Sequence, residues 1–210
     1  MIDKLKSHYG ACTITLKAIK KDKQLIMQKT HSHEKIIKTF DFRGIHADLI
    51  SWKETIWCGK MGYAANHVDE PDVDKISEDA RIVFLNNIPN RREENWEACI
   101  SLNYLSKERP NGVMFGFLVE TDEQPDSYDI LKLPSALYMR IQLCDETFKA
   151  LEVEPWTGGI PPYEWIGEYI APKFGYKYGD DTLPIFEYYL HNPENYCVEA
   201  CYLYVPVQEA

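Results

Sequence analysis

Two glutamates, Glu187 and Glu199, lie inside runs of strand-forming aromatic and aliphatic residues in LPIFEYYLHNPENYCVEACYLYVPV, residues 183 to 207. His191-Asn192-Pro193-Glu194-Asn195 separates the runs as a turn, so the stretch predicts a hairpin. A carboxylate on a half-buried strand can anchor a cation, and nearby aromatics extend that chemistry. Tyr163 and Trp165 open a helix, Trp156 stands just before it, and Tyr202 lies on the last strand. Aromatic walls with a carboxylate in a low-dielectric cavity make a receptor for a flat organic cation, through stacking, cation–π attraction and charge pairing. Fourteen tyrosines and five tryptophans in 210 residues exceed what a core of this size needs. The competing account makes the rings ordinary core and the acids solvent-facing.

Register separates the two glutamates. With a three-residue turn, Leu190 faces Tyr196 and Glu187 faces Glu199, their Cβ atoms about 5 Å apart. Two carboxylates so close resist joint ionisation unless a cation lies between them. With a four-residue turn, Glu187 shares a face with Ala200 and Tyr202, and Glu199 points the other way. Ile185 and Tyr189 share the Glu187 face in either register, which makes Glu187 the firmer candidate.

Other chemistries find less support. His31 and His33 of HSHE share one face of a strand, but Ile37 and Lys38 stand where a metal-binding β-barrel of the cupin type places a glutamate. The acidic stretch NHVDEPDVDKISED at 66–79 lacks the spacing of a calcium loop. G-x-S-x-G, P-loop and GxGxxG motifs are missing, which removes the usual signs of a hydrolase, a nucleotide site or a dinucleotide site. No metal and no cofactor are expected.

The elements that must carry these residues come next. Lys35 to Phe42 predicts a strand. Ile45, Leu49, Trp52 and Ile56 then fall on one helical stripe, predicting a helix from Ile45 to Lys60. Residues 66–79 predict a solvated loop, and 80–86, 96–104 and 112–121 predict strands. A Pro/Asp/Glu linker, DEQPDSYD, leads into a strand region from Leu137 to Leu151. Pro161-Pro162 starts a helix that Gly175 stops, and the opening hairpin closes the chain. A hairpin is also predicted at 11–28, its edge guarded by Lys17, Lys20, Lys21, Lys23 and Lys29. Each half thus reads strand, helix, strand, strand, an echo of element order rather than of residues.

Composition narrows the partners. The hydrophobic share is 45% and the charged share 27%, ordinary for a globular chain with a real core. The net charge of −10, from 33 acidic and 23 basic residues, argues against direct contact with nucleic acid. No apolar stretch approaches the ~20 residues of a membrane span, and the start lacks a secretory pattern, so a cytoplasmic location is expected. Six scattered cysteines without CxxC spacing predict buried free thiols. Oligomeric state is not legible.

Residues 112–207 carry a resemblance. GVMFGFLVETDEQPDSYDILKLPSALYMRIQL, GGIPPYEWIGEYIAPKFGY, LPIFEYYLHNP and CVEACYLYVPV resemble, in order and spacing, the gyrase-inhibitor-like (GyrI-like) effector-binding domain, also found behind AraC-type and MerR-type DNA-binding segments. The resemblance implies an α+β fold of two strand-helix-strand-strand modules related by a pseudo-two-fold. It also implies an antiparallel sheet with helices on one face and a ligand cleft between the modules. The expected division is an N-terminal hairpin extension at 1–33 and the domain at 34–210, with modules at 34–122 and 130–207. The cleft would take a bulky hydrophobic molecule, cationic or aromatic, for effector sensing or drug sequestration. Glu187 of the F-E-x-Y strand would be its acidic anchor, Tyr163 would map to the helix start and Glu199 to an acid of the last strand. Some members are hydrolases that open strained cyclopropane rings in DNA-alkylating compounds, a role in which Glu187 would activate water. A gyrase-inhibitor-like protein partner is the third alternative.

Overall fold

A computed structural model describes residues 31–66, 69–84, 88–92, 96–144, 147, 162–192, 194–195 and 197–210. The first half contains β1 (Glu34–Phe42), β2 (Ile45–Trp52), β3 (Thr55–Tyr63), α1 (Val73–Phe84), β4 (Trp96–Leu102) and β5 (Gly112–Val119). After the linker come β6 (Asp129–Leu133) and β7 (Ala136–Gln142). Helix α2 opens at Pro162–Glu164, widens to a π-helical turn over Trp165–Ile170 and ends at Ala171–Lys173. Strands β8 (Tyr176–Tyr178), β9 (Ile185–His191) and β10 (Val198–Glu209) complete the chain. The hairpin expected at 11–28 and its lysines lie outside the described residues.

The strands form one antiparallel α+β sheet in the order β1-β2-β7-β10-β9-β4-β5-β3-β6, with β8 paired to the end of β10. Within it, β3-α1-β4-β5 and β7-α2-β9-β10 repeat one succession of elements, the second with the short β8 added between α2 and β9. Their strand order, β7-β10-β9-β4-β5-β3, reads alike from either end, with β9 and β4 at the centre.

Three expectations are corrected. Residues 45–60 are two strands, not a helix. In β2, Ile45, Ala47 and Leu49 alternate toward one cluster while Ile50 and Trp52 face another, so both sheet faces bury side chains and the apolar spacing imitates a helical stripe. The first-half helix is instead α1, which replaces the second half of the loop expected at 66–79 and most of the strand expected at 80–86. Asp72 caps it, its Oδ1 accepting the Lys75 N–H at 3.1 Å. Ile76 and Ala80, one turn apart, are buried, and Ile76 lies where a Cβ on Gly62 would meet it.

Strands β2 and β3 are joined by Lys53-Glu54 alone yet stand far apart in strand order, so the sheet must curl. Trp52 and Trp57 stack across the curl with centroids 6.3 Å apart. Both indole N–H groups donate to Thr55 Oγ1, at 3.0 and 3.2 Å. The inner face is filled by rings: Trp52, Trp57, Tyr138, Phe186, Tyr188 and Tyr204 are all fully buried. His31 and His33 close one edge of this cluster, stacked on each other and packed against Trp96 and Trp52 respectively.

Strands β3 and β5 approach at Gly59 and Gly116. A Cβ on Gly59 would lie 1.9 Å from the Phe115 carbonyl oxygen, a contact with backbone that cannot swing aside. Gly59→Ala is expected to cost at least ~1 to 3 kcal/mol, read as a lowered midpoint in urea unfolding.

The described cysteines are free thiols: Cys58 is buried, Cys99, Cys144 and Cys201 are half-buried, and Cys197 is exposed against expectation, in the β9–β10 turn. Burial first, and then Asp129, push the Cys58 thiol from 9.0 to about 11, with Lys60 opposing. The folded protein keeps a proton that the unfolded chain releases above pH 9. This contribution is therefore whole below pH 9 and is lost as pH rises toward 11. Cys58→Ala is expected to flatten that part of the stability–pH curve, measured by denaturant unfolding across the interval.

Candidate ligand-binding site

Directly paired residues trace one face across the sheet: Cys58 to Phe117, Phe115 to Cys99, Cys99 to Glu187, Glu187 to Leu203, and Leu203 to Ile141. Both helices pack on this face. Trp165, Ile166, Ile170 and Ala171 of α2 bury against Met139, Ile141, Leu203 and Val205, and α1 covers Gly62 on the other side. The rings of the inner face lie on the opposite surface. Glu187 is thus half-buried on the central strand of the helix-bearing face.

Its surroundings are polar. Tyr189, two residues along on the same face, donates its hydroxyl to Glu187 Oε2. Cys99 stands directly opposite Glu187, and Cys201 opposite Tyr189. Burial first, and then the charge of Glu187, push both thiols well above their ordinary range; Glu97 adds to the effect at Cys99. These thiols hold their protons, so neither is poised as a nucleophile.

Neither register expected for the last hairpin occurs. The connection is wider than three or four residues because asparagine side chains hold it. Asn192 Oδ1 accepts the Glu194 N–H at 2.8 Å and Asn195 Oδ1 accepts the Cys197 N–H at 3.0 Å. A bulge between Val198 and Ala200 then shifts the pairing, so Leu190 meets Ala200 and Glu187 meets Leu203. Glu199 falls in that bulge, where its Oε1 accepts the Asn192 side-chain N–H at 2.6 Å.

The sequence candidates are therefore dispersed. Glu187 and Tyr163 share the helix-bearing face. The Tyr163 hydroxyl meets that of Tyr104, just beyond β4, at 2.6 Å, and burial first raises the proton affinity of both phenols. Trp165 is buried in the core beneath α2. Tyr202 is on the inner face, with the Arg140 guanidinium 5.2 Å from its ring centre. Trp156 lies outside the described residues. The sequence reading missed Glu97, half-buried on β4 beside His191, whose Nε2 is 3.2 Å from Glu97 Oε2. The parallel between WEACI at 96–100 and FEYYL at 186–190 could have pointed to it. Among the described residues no group of three or more His, Cys, Asp or Glu side chains is gathered for a metal ion, and no helix is long and apolar enough to cross a membrane.

The antiparallel sheet, with both helices on one face of its central strand pair, is the fold of the GyrI-like effector-binding domains. SAV2435, solved bound to tetraphenylphosphonium, shares 15% identity at a TM-score of 0.51, covering 77% of this chain and 93% of its own. The EcmrR C-terminal domain gives 11% identity and 0.48 over 79% and 99%. An integron cassette protein from the mobile metagenome of Vibrio cholerae gives 12% and 0.44 over 77% and 95%. No family model and no curated protein matches the sequence.

Proposed function

We propose that the protein binds a bulky hydrophobic cation on the helix-bearing face, over the β4–β9 pair, with Glu187 as the acidic anchor and Tyr163 at one wall. Such binding would serve effector sensing or drug sequestration. The observation that carries this reading is the half-buried Glu187 carboxylate, held by the Tyr189 hydroxyl on the central strand between the two helices. Sheet side chains that face helices are ordinarily apolar. An acid there attracts a cation with less competition from water than an exposed one would. The shared fold with a protein solved bound to tetraphenylphosphonium gives the ligand class further support.

Titration with tetraphenylphosphonium, followed by calorimetry, tests the proposal. Saturable binding that weakens as salt rises is expected, because part of the attraction is between charges. No saturable heat, or binding indifferent to salt, would count against it.

A further inference from the structure

The two halves of the sheet meet at β4 and β9, and the meeting has a regularity that element order alone did not reveal. Glu187 lies opposite Cys99, two residues beyond Glu97, while Glu97 lies opposite Tyr189, two residues beyond Glu187. Trp96 and Phe186, one residue before each acid, both turn to the inner ring cluster. Each central strand therefore offers the same sequence of faces: a ring inward, an acid outward, a core residue inward. The acids occupy corresponding places in the two strand-helix-strand-strand runs and look out on the same helix-bearing face.

Their separation follows from the register. Diagonal neighbours on adjacent antiparallel strands lie about 7 to 8 Å apart. Both carboxylates act on one group between them, since Glu187 and Glu97 each add to what burial does to the Cys99 thiol. Each acid also has its own partner on β9: the Tyr189 hydroxyl for Glu187 and the His191 imidazole for Glu97. Two carboxylates at this spacing repel in a half-buried setting, and a ligand with two positive centres relieves both at once.

We infer that Glu97 is a second, specificity-determining acid of the proposed site, and that the site prefers flat aromatic dications to monocations of the same shape. This inference rests on the cation-binding reading above. One probe pair isolates charge from shape: N,N′-dimethyl-4,4′-bipyridinium carries a positive nitrogen at each end of two joined rings, and N-methyl-4-phenylpyridinium carries only one.

Calorimetric affinities of both probes are to be measured at low salt on the full chain, wild type and variants. The wild type is expected to favour the dication by about tenfold, as a second charge at this distance allows. In Glu97→Gln that ratio should fall to near one, in Glu97→Asp it should be largely kept, and Glu187→Gln should weaken both probes. Near-uniform affinities for the two probes in the wild type, or a ratio untouched by Glu97→Gln in a protein with unchanged near-ultraviolet circular dichroism, would overturn the inference while leaving the anchor role of Glu187 standing. If neither these probes nor tetraphenylphosphonium binds the wild type, the cation-binding reading itself fails, and the inference with it.

Discussion

Arg140→Met is expected to lower the unfolding free energy by about 3 to 5 kcal/mol, the cost of leaving a buried charge without its partner. Arg140 sits on β7 with β2 and β10 on either side, and its guanidinium donates to Glu34 Oε2 at 2.8 Å and to Asp48 Oδ2 at 2.6 Å. The Tyr204 hydroxyl donates to the other Glu34 oxygen at 2.5 Å. The Glu34 side chain has no exposure to solvent. Methionine fills much of the volume but leaves the carboxylate in an aromatic interior with a phenol as its remaining donor among these contacts. The double variant Glu34→Gln, Arg140→Met should recover most of the loss, because it removes the charge as well as its partner. Urea unfolding of the wild type, both single variants and the double variant completes the cycle. A loss below about 1 kcal/mol for Arg140→Met would show that the charges are screened by solvent as in an exposed pair.

Glu187→Gln is expected to weaken tetraphenylphosphonium binding by about 2 kcal/mol, the lower end of the range for removing one member of a buried charge pair, or roughly thirtyfold in dissociation constant. The lower end applies because Glu187 is half-buried rather than enclosed. The substitution also removes a charge that raises the proton affinity of Cys99 and Cys201. Both thiols should therefore ionise at lower pH in the variant, visible as faster alkylation at a fixed alkaline pH. That readout is independent of ligand. Faster alkylation with unchanged affinity would place the carboxylate where expected but remove it from binding.

The second half of the chain was the more legible from sequence. Its hairpin, Pro-led helix and glycine stop each have a local cause, and Gly175 does adopt a left-handed φ of 84° after α2. The first half misled because β2 is apolar on both faces, so Ile45, Leu49 and Trp52 satisfied a helical period that the backbone does not follow. Conversely, α1 opens in an acidic stretch: in its first eight residues, VDKISEDA, only Val73, Ile76 and Ala80 are apolar, too few to stand out from a loop. Glu187 could be singled out because an isolated acid between Phe186 and Tyr188 needs a reason. Its neighbours could not, since they arrive through register. The bulge at Val198–Ala200 put Tyr202 on the opposite surface, and the pairing of β4 with β9 brought up Glu97. Periodicity speaks to one strand at a time, whereas a site on a sheet is written across several.

The central position of the β4–β9 pair also bears on assembly. Each half can close β3, β4 and β5, or β9 and β10, from segments near one another in the chain, but β4–β9 and β2–β7 join residues from opposite halves. Such closures carry the largest loop entropy and belong to the slow part of folding. The proposed binding surface therefore exists only once the two halves have joined, and a ligand there would act as a clasp on the finished molecule, opposing its separation.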